Sequence, residues 1–228
     1  MTQQILALHG NAKEVSARAT SRPGRMVGSR SRRRILQTGD HLFQAGELYQ
    51  EAFIIRTGHL KSYRIHRDGE EQILGVYGPG DALGFDALFG KVASCSVVAL
   101  EVASIEIIDL YHPDMPANPH PNGDATLIAG MYQELQRMCR LLQLDRHPAE
   151  RRLAEFLLDC SRSESERGGS RSNLRLSFNR RDLARYLGLA PETLSRTFSR
   201  FQEQHILSVN NREIQIIDRQ ALVAAAGE

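Results

Sequence analysis

Short apolar segments separated by glycine-containing turns run through residues 35–110 and constrain the fold more than any other feature. The turns lie at Thr38-Gly39-Asp40, Ala45-Gly46-Glu47, Thr57-Gly58, Asp68-Gly69 and Gly78-Pro79-Gly80-Asp81. The apolar segments lie at Phe53–Ile55, Leu60–Ile65, Ile73–Tyr77, Cys95–Leu100 and Ser104–Leu110. Many short strands at a spacing of roughly 8–12 residues are typical of an antiparallel sandwich or barrel of the jelly-roll type. Asp68-Gly69 predicts a tight hairpin with positive φ at both central residues. We therefore predict an antiparallel β-roll over residues 35–120.

A long helix is predicted next, from about Asp124 to Asp145, after a proline-containing loop over residues 111–123. Its apolar residues recur at steps of three and four, which is the heptad spacing that lets two helices pack knobs into holes. They are Ile128, Met131, Leu135, Met138 and Leu142. An intramolecular core stripe is the alternative, but the polar Gln, Arg and Glu residues between these positions favour a partner helix. Residues 121–147 are thus predicted to form the dimerisation helix of a homodimer.

Charge is distributed unevenly, although the net charge is only +2. Residues 1–34 carry eight Lys or Arg against one Glu, and residues 35–147 carry eight against fifteen Asp or Glu. Residues 171–200 hold seven Arg and two acids. We predict a basic, partly disordered arm over residues 1–34 and an anionic partner for the arginine-rich segment. Solvated surface charge is the alternative for both.

A helix-turn-helix is predicted in the segment that begins at Asn179, which is a good helix N-cap. The first helix should end at Gly188, because glycine readily adopts the left-handed conformation, and Pro191 suits the first turn of a second helix. Ala184 supplies the small residue where the two helices cross, and Leu194 an aliphatic side chain on the buried face of the second helix. The spacing of Ala184, Gly188 and Leu194 matches that of a helix-turn-helix and indicates a DNA-binding motif.

The second helix of this motif has two distinct faces. Leu194, Phe198 and Phe201 lie on one face, and Glu192, Ser195, Arg196 and Ser199 lie on the other. Arginine can bind guanine O6 and N7, glutamate can accept from cytosine N4, and serine can bond a base edge or phosphate. The alternative is that Glu192 only favours the helix dipole and pairs with Arg196. Arg180, Thr193 and Arg200 complete the predicted DNA contacts.

The segments on either side of this motif complete a winged domain over residues 148–228. Pro148 can occupy the first turn of a preceding helix, whose inward residues are Leu153, Phe156, Leu157 and Cys160. A polar loop is expected over residues 161–173. After the motif, Ile206–Val209 and Glu213–Ile217 flank Asn210-Asn211, which predicts a hairpin that forms the wing. Arg212 is expected near a phosphate.

Targeting signals are not predicted from this sequence. No apolar run approaches the ~20 residues needed to span a bilayer, and the first residues do not resemble an export leader. Cys95, Cys139 and Cys160 are few, widely spaced and odd in number, which argues against a disulfide framework. We therefore expect a cytoplasmic protein that does not contact a membrane.

With these motifs in view, residues 35–220 resemble the Crp/Fnr family, and the anaerobic branch more closely than the cyclic-AMP branch. The shared stretches are Leu42–Gly46, Ile55–Gly58, Leu60–Tyr63, Asp68–Ile73, Gly80–Ala87 and the helix-turn-helix. The resemblance implies an α+β fold with an N-terminal β-roll like a cyclic-nucleotide-binding domain, a long dimerisation helix and a C-terminal winged helix-turn-helix. It implies a DNA-binding transcription regulator that acts as an activator, with repression as the alternative.

The resemblance also implies a DNA target. Readers in the anaerobic branch carry Glu, two further residues, Ser and Arg, as found here at Glu192, Ser195 and Arg196. The implied site is an inverted repeat of TTGAT-type half-sites on double-stranded DNA. A TGTGA-type half-site is disfavoured because Pro191 stands where the cyclic-AMP branch has Arg. Ala190 replaces a capping Thr found in many relatives, so Pro191 and Glu192 must hold the helix start.

The family's known sensing groups do not match this sequence. An iron–sulfur cluster needs four thiolates, but residues 1–40 contain no cysteine, and Glu106 stands at the position of the β-roll ligand. A cyclic-AMP pocket needs a Gly-Glu pair and an Arg, whereas the corresponding stretches are Gly84-Phe85 and Ser94-Cys95-Ser96. We predict neither cofactor, and the effector is undefined.

Redox-active cysteines, haem ligation and two other functions are alternatives to this assignment. The three cysteines are candidates for sensing oxidation or nitric oxide, but buried structural thiols are the favoured interpretation. Haem ligation through His41, His59 or His66 has no supporting spacing. A cupin-like metalloenzyme and a β-roll ligand-binding regulatory protein are the alternative functions; the prediction is that the chain is not an enzyme. The resemblance further implies contact with RNA polymerase through the loop around Phe85–Gly90.

Overall fold

The structure is a computed structural model that describes residues 32–86, 92–109, 121–144 and 147–227. No helix within these ranges is long and apolar enough to cross a membrane. Most of the predicted basic arm, residues 1–31, lies outside the described residues, as do residues 87–91 of the loop assigned to RNA polymerase. The predicted arm extends too far, because residues 32–34 already belong to the first strand.

Within the described residues, eight antiparallel strands in two four-stranded sheets form the β-roll. They are β1 (Arg32–Leu36), β2 (His41–Phe43), β3 (Glu51–Thr57), β4 (Leu60–Ile65), β5 (Glu71–Tyr77), β6 (Ala82–Leu83), β7 (Ser96–Ala99) and β8 (Ala103–Asp109). One sheet has the order β1-β8-β3-β6 and the other β2-β7-β4-β5. Alternate side chains such as Ile55, Leu60, Val97 and Ile105 are buried between the sheets. The predicted jelly-roll architecture is confirmed.

The hairpin between β4 and β5 differs from the prediction in its turn. Gly69 has a φ of +83°, but Asp68 is not in the left-handed region, so the turn is not one in which both central residues have positive φ. The Gly69 N–H donates to His66 O (3.0 Å), and the His66 N–H donates to Glu70 O (2.9 Å). This is a longer hairpin loop in which only the final residue needs a glycine.

A long helix, α1 (Pro121–Leu144), follows the β-roll and packs against it through one face. Gly130 is buried, and a Cβ there would lie 2.8 Å from the Phe85 ring, so glycine permits the close approach. On the same face the Tyr77 hydroxyl donates to Glu134 (3.1 Å). The Arg137 guanidinium lies 4.1 Å from the centroid of the Tyr77 ring. The heptad stripe is on another face and is exposed within the chain.

The C-terminal part combines four helices with a three-stranded sheet of order β10-β11-β9. Its elements are α2 (Ala149–Glu166), β9 (Asn173–Arg175), α3 (Arg180–Tyr186), α4 (Pro191–Glu203), β10 (Leu207–Asn210), β11 (Glu213–Ile216) and α5 (Arg219–Ala225). The predicted polar loop at 161–173 was too long, because α2 continues to Glu166 and Asn173 starts β9. Pro148 is the residue before α2 and not its first residue.

Candidate nucleic-acid interface

The helix-turn-helix is formed by α3 and α4, and its ends are fixed as the sequence predicts. The Asp182 N–H donates to the Asn179 side-chain oxygen (2.8 Å), which caps α3. Gly188 adopts a φ of +62° just after α3. Ala190 makes no side-chain cap, and Pro191 occupies the first position of α4. The turn therefore depends on glycine and proline geometry.

Small and aliphatic side chains pack where the two helices cross. Ala184 has no exposed surface and Leu194 is 1% exposed, so both lie in the core of the domain as the motif requires. Leu194, Phe198 and Phe201 form the buried face of α4. The remaining face of α4 is thus directed away from the core at a fixed rotation.

The exposed face of α4 carries the side chains that were predicted to read bases. Glu192, Ser195, Arg196 and Ser199 are all exposed. In the part of the chain that the structure describes, Glu192 and Arg196 form no ion pair with each other, so both retain free polar atoms. This face therefore presents a carboxylate, two hydroxyls and a guanidinium in one row, which matches the donor and acceptor chemistry of base edges.

The three remaining predicted contacts have other neighbours. Thr193 is half-buried, and its carbonyl accepts from the Thr197 hydroxyl (2.9 Å). Arg200 forms an ion pair with Glu150 of α2. Because Arg200 is still exposed, it can approach a phosphate only by sharing or exchanging that partner.

Arg180 braces the motif from the first turn of α3. Its guanidinium lies 3.7 Å from the centroid of the Phe198 ring and donates to Asn211 O (3.4 Å). Its Nη1 atom is buried without a hydrogen-bond partner, and desolvation lowers the pKa of this side chain. Arg180 therefore joins α3, α4 and the wing, and only part of its guanidinium faces solvent.

The wing is the β10–β11 hairpin, as predicted, with β9 as a third strand. Asn210 still pairs with Glu213, so the turn consists of Asn211 and Arg212 instead of two asparagines. Asn211 has a φ of +56°, a conformation that asparagine tolerates better than most residues. Arg212 is exposed at the tip and, with Lys61, lines a groove between the wing and the β-roll.

Ion pairs join the β-roll to the first helix of the motif. Lys61 Nζ lies 2.6 Å from Glu71 and 3.2 Å from Asp182 of α3. Arg185 of α3 lies 3.5 Å from Glu70 and 3.7 Å from Glu71. The β-roll thus pairs a cation with Asp182 of α3 and two carboxylates with Arg185 of α3, and these pairs connect the two parts of the chain.

A second link runs through Glu101. Burial alone raises the pKa of this carboxyl, but hydrogen bonds from His59 (2.6 Å) and Ser177 (3.2 Å) lower it overall. Sequence reasoning missed these links because their members are far apart in the chain. It also missed Arg152, a charged residue on the inward face of α2, for which that placement was an available signal.

The positions that hold sensing groups in relatives carry different chemistry here. Glu106 forms an ion pair with Arg56 across β3 and β8. Near Cys95, the Ser94 carbonyl accepts two hydrogen bonds from Arg64, and the Ser94 N–H donates to Asp86 (3.0 Å). A carboxylate in that position repels a phosphate. Glu106 therefore does not supply the thiolate that a cluster needs, and Asp86 and Arg64 place charges of both signs beside Ser94.

The three histidines considered for haem each bond to a neighbouring side chain. His41 bonds to Tyr63 (2.8 Å), His59 to Glu101, and His66 to Gln72 (2.9 Å). Among the described residues, no three His, Cys, Asp or Glu side chains are grouped closely enough to hold a metal ion. The metalloenzyme alternative therefore has no support from these residues.

Comparison with known proteins adds to this geometry. Residues 33–110 match the cyclic nucleotide-binding domain family, and residues 151–225 match the Crp-like helix-turn-helix domain family. The fumarate and nitrate reduction regulatory protein of Yersinia pestis is 36% identical over 86% of this chain and 79% of its own length. The transcriptional activator protein Anr of Pseudomonas aeruginosa is 35% identical over 86% of this chain and 81% of its own length.

A solved structure agrees with these matches. FixK2 from Bradyrhizobium japonicum superposes with a TM-score of 0.76 at 26% identity, covering 86% of this chain and 96% of that chain. The β-roll, the long helix and the winged helix-turn-helix described above are thus the parts of a known architecture. The chain belongs to the Crp/Fnr family of DNA-binding transcription regulators.

Proposed function

We propose that this regulator acts in the cytoplasm as a homodimer that binds an inverted repeat of TTGAT-type half-sites and activates transcription. The observation that carries the proposal is the exposed row of Glu192, Ser195, Arg196 and Ser199 on α4. Its Glu and Ser-Arg spacing resembles the anaerobic branch, and Pro191 takes the place of the Arg expected for a TGTGA site. A bidentate Arg196 and an accepting Glu192 supply the discrimination between bases.

The homodimer is supported by the apolar face of α1 that stays exposed in the single chain. This helix contacts the β-roll through the face that carries Gly130, Glu134 and Arg137. The heptad stripe is left uncovered, with Leu135 57% exposed and Leu142 81% exposed. Apolar side chains in such a narrow row favour burial against the same row of a second chain.

We further propose that the protein works without a bound iron–sulfur cluster or cyclic nucleotide. This is supported by Glu106, which pairs with Arg56 where a cluster would need a thiolate, and by the carboxylate of Asp86 beside Ser94. RNA polymerase is proposed as a partner because the chain resembles regulators named as activators. We propose that the protein is not an enzyme. Its activity as a regulator is then controlled either by an unidentified effector or by the abundance of the protein itself.

Binding to three labelled duplexes tests the proposal: a TTGAT palindrome, a TGTGA palindrome and a scrambled sequence, at one fixed salt concentration. The reduced protein is expected to prefer the TTGAT palindrome. Arg196→Ala should weaken that binding by about 1–3 kcal/mol and relax discrimination at one base pair. Arg162→Ala is the matched control, because it removes an equal charge from an exposed side chain on α2. Equal binding of all three duplexes by the wild-type protein contradicts the proposed readout.

A further inference from the structure

Arg152 is a buried arginine that donates to several backbone carbonyls. It is 9% exposed and lies in α2. Its Nη1 donates to the carbonyls of Leu187 and Gly188, at 3.0 Å each, and its Nε donates to His147 O (2.8 Å). A single guanidinium therefore binds three carbonyl oxygens from two separate segments of chain.

One of these segments precedes α4 and the other precedes α2. Leu187 and Gly188 form the turn between α3 and α4. His147 belongs to the connection between α1, which carries the dimer stripe, and α2. The carbonyls at the end of α3 carry the negative end of its dipole, which favours a cation there. The planar fork of arginine reaches both segments at once, whereas the single ammonium of lysine cannot.

A second contact from the same turn of α2 also holds α4 in place. Glu150 is two residues before Arg152, and it pairs with Arg200 in the later part of α4. The first turn of α2 thus holds α4 near its beginning through Arg152 and along its length through Glu150. Both contacts start beside the connection to α1.

We propose that Arg152 is a positioning residue that fixes the direction of the α4 helix relative to the dimer helix and so sets the spacing between DNA half-sites. One added base pair moves the second half-site by about 3.4 Å and rotates it by about 35°. Two α4 helices that are rigidly held therefore match one spacer length. This inference rests on the proposed binding of an inverted repeat by a homodimer.

Spacer discrimination tests the inference. Binding is measured to a series of duplexes in which two TTGAT half-sites are separated by successively longer spacers, and to a duplex with one half-site. The wild-type protein is expected to show one optimum and about tenfold weaker binding one base pair away. In Arg152→Gln and Arg152→Lys the ratio of these two affinities should fall to about threefold or less, because neither side chain can bond both segments at once as the charged fork of arginine does. Single half-site binding should change by less than about twofold.

Arg151→Gln is the matched control. Arg151 is on the same turn of α2 but pairs with Glu155 (2.8 Å), so its removal should leave the spacer ratio unchanged. The ratio is independent of the fraction of folded protein, so a destabilised variant still gives an answer. Retention of the wild-type ratio in both Arg152 variants overturns the inference alone. A wild-type protein without any spacer optimum contradicts the proposed function, and the inference with it.

Discussion

Lys61 on β4 and Asp182 on α3 form an ion pair across the boundary between the β-roll and the helix-turn-helix, with 3.2 Å between Nζ and Oδ2. Both side chains are only 11% exposed, and Lys61 also binds Glu71. Asp182 has a second role, because its carboxylate accepts from the Asn179 amide that caps α3 (3.2 Å). The pair therefore connects the β-roll to the start of the DNA-binding motif.

Removing the cation should destabilise the protein substantially. Lys61→Met leaves the buried Asp182 without its cation and leaves Glu71 with only the longer contact to Arg185 (3.7 Å). Removing one partner of a buried pair in this way costs about 3 kcal/mol or more. The free energy of unfolding is measured by urea titration, with Lys61→Arg as the charge-conserving control. A double-mutant cycle with Asp182→Asn should give a coupling energy of about 1–3 kcal/mol. A coupling energy near zero would mean that the pair makes no contribution.

Gly58 joins β3 to β4 at a point where no larger residue fits. Its φ is +80°, and a Cβ would lie 2.5 Å from Val102 O and 2.7 Å from the Ala103 Cα. Gly58→Ala should lower the free energy of unfolding by about 3 kcal/mol, from left-handed strain together with displaced backbone.

Gly69→Ala is the matched control for Gly58. Gly69 has a similar φ of +83° but nothing within 4 Å of the added methyl group. Its substitution should cost only the backbone strain, about 1–2 kcal/mol. Thermal unfolding of both variants measures the difference, and equal losses would refute the role assigned to Val102 and Ala103.

The exposed stripe on α1 predicts a monomerising substitution. Leu135→Glu places a charge in the middle of the proposed seam, where the partner chain excludes water. The dimer dissociation constant, measured by sedimentation velocity, should rise by at least about a hundredfold. Gln136→Glu makes the same change in charge at an exposed neighbouring position and should leave the dimer intact. Dimers that persist in Leu135→Glu would place the homodimer interface elsewhere.

Elements with local or periodic signals were predictable from the sequence. Strand β4 has the predicted bounds, Leu60–Ile65, because a glycine turn lies on each side of an alternating pattern. The cap at Asn179 and the left-handed Gly188 follow from the side chain's own chemistry. The exposed face of α4 follows from the period of 3.6 residues, which places Arg196 opposite Phe198.

Elements that depend on distant neighbours were not predictable. Strands β2 and β6 have three and two residues, too few to show a period, and they exist because β7 and β3 supply hydrogen-bond partners. Strand β9 was not predicted: its first residue, Asn173, falls in the predicted loop, and its single buried residue, Leu174, gives no pattern. The contacts of Arg152 and Lys61 require knowledge of which segments meet, which only the folded chain supplies.

The three cysteines differ in a way that predicts their reactivity. Burial, followed by the charge of Asp86, raises the pKa of Cys95 to about 11. Burial, followed by the charge of Asp159, raises the pKa of Cys160 to about 12. Cys139 is exposed on α1. Because the thiolate is the reactive form, a rise of two units lowers its population by about a hundredfold at neutral pH.

Alkylation by iodoacetamide, followed by peptide mass spectrometry, measures this difference in native buffer and in urea. Cys95 and Cys160 should react at least about a hundredfold more slowly in the folded protein than in urea. Cys139 serves as the internal control and should change little on unfolding. Between pH 8 and pH 10, labelling of folded Cys95 should accelerate about tenfold per pH unit, since this range lies below its raised pKa. If folded Cys95 reacts as fast at pH 7.5 as it does in urea, the thiol is available for oxidation, and redox sensing by the β-roll becomes the better interpretation.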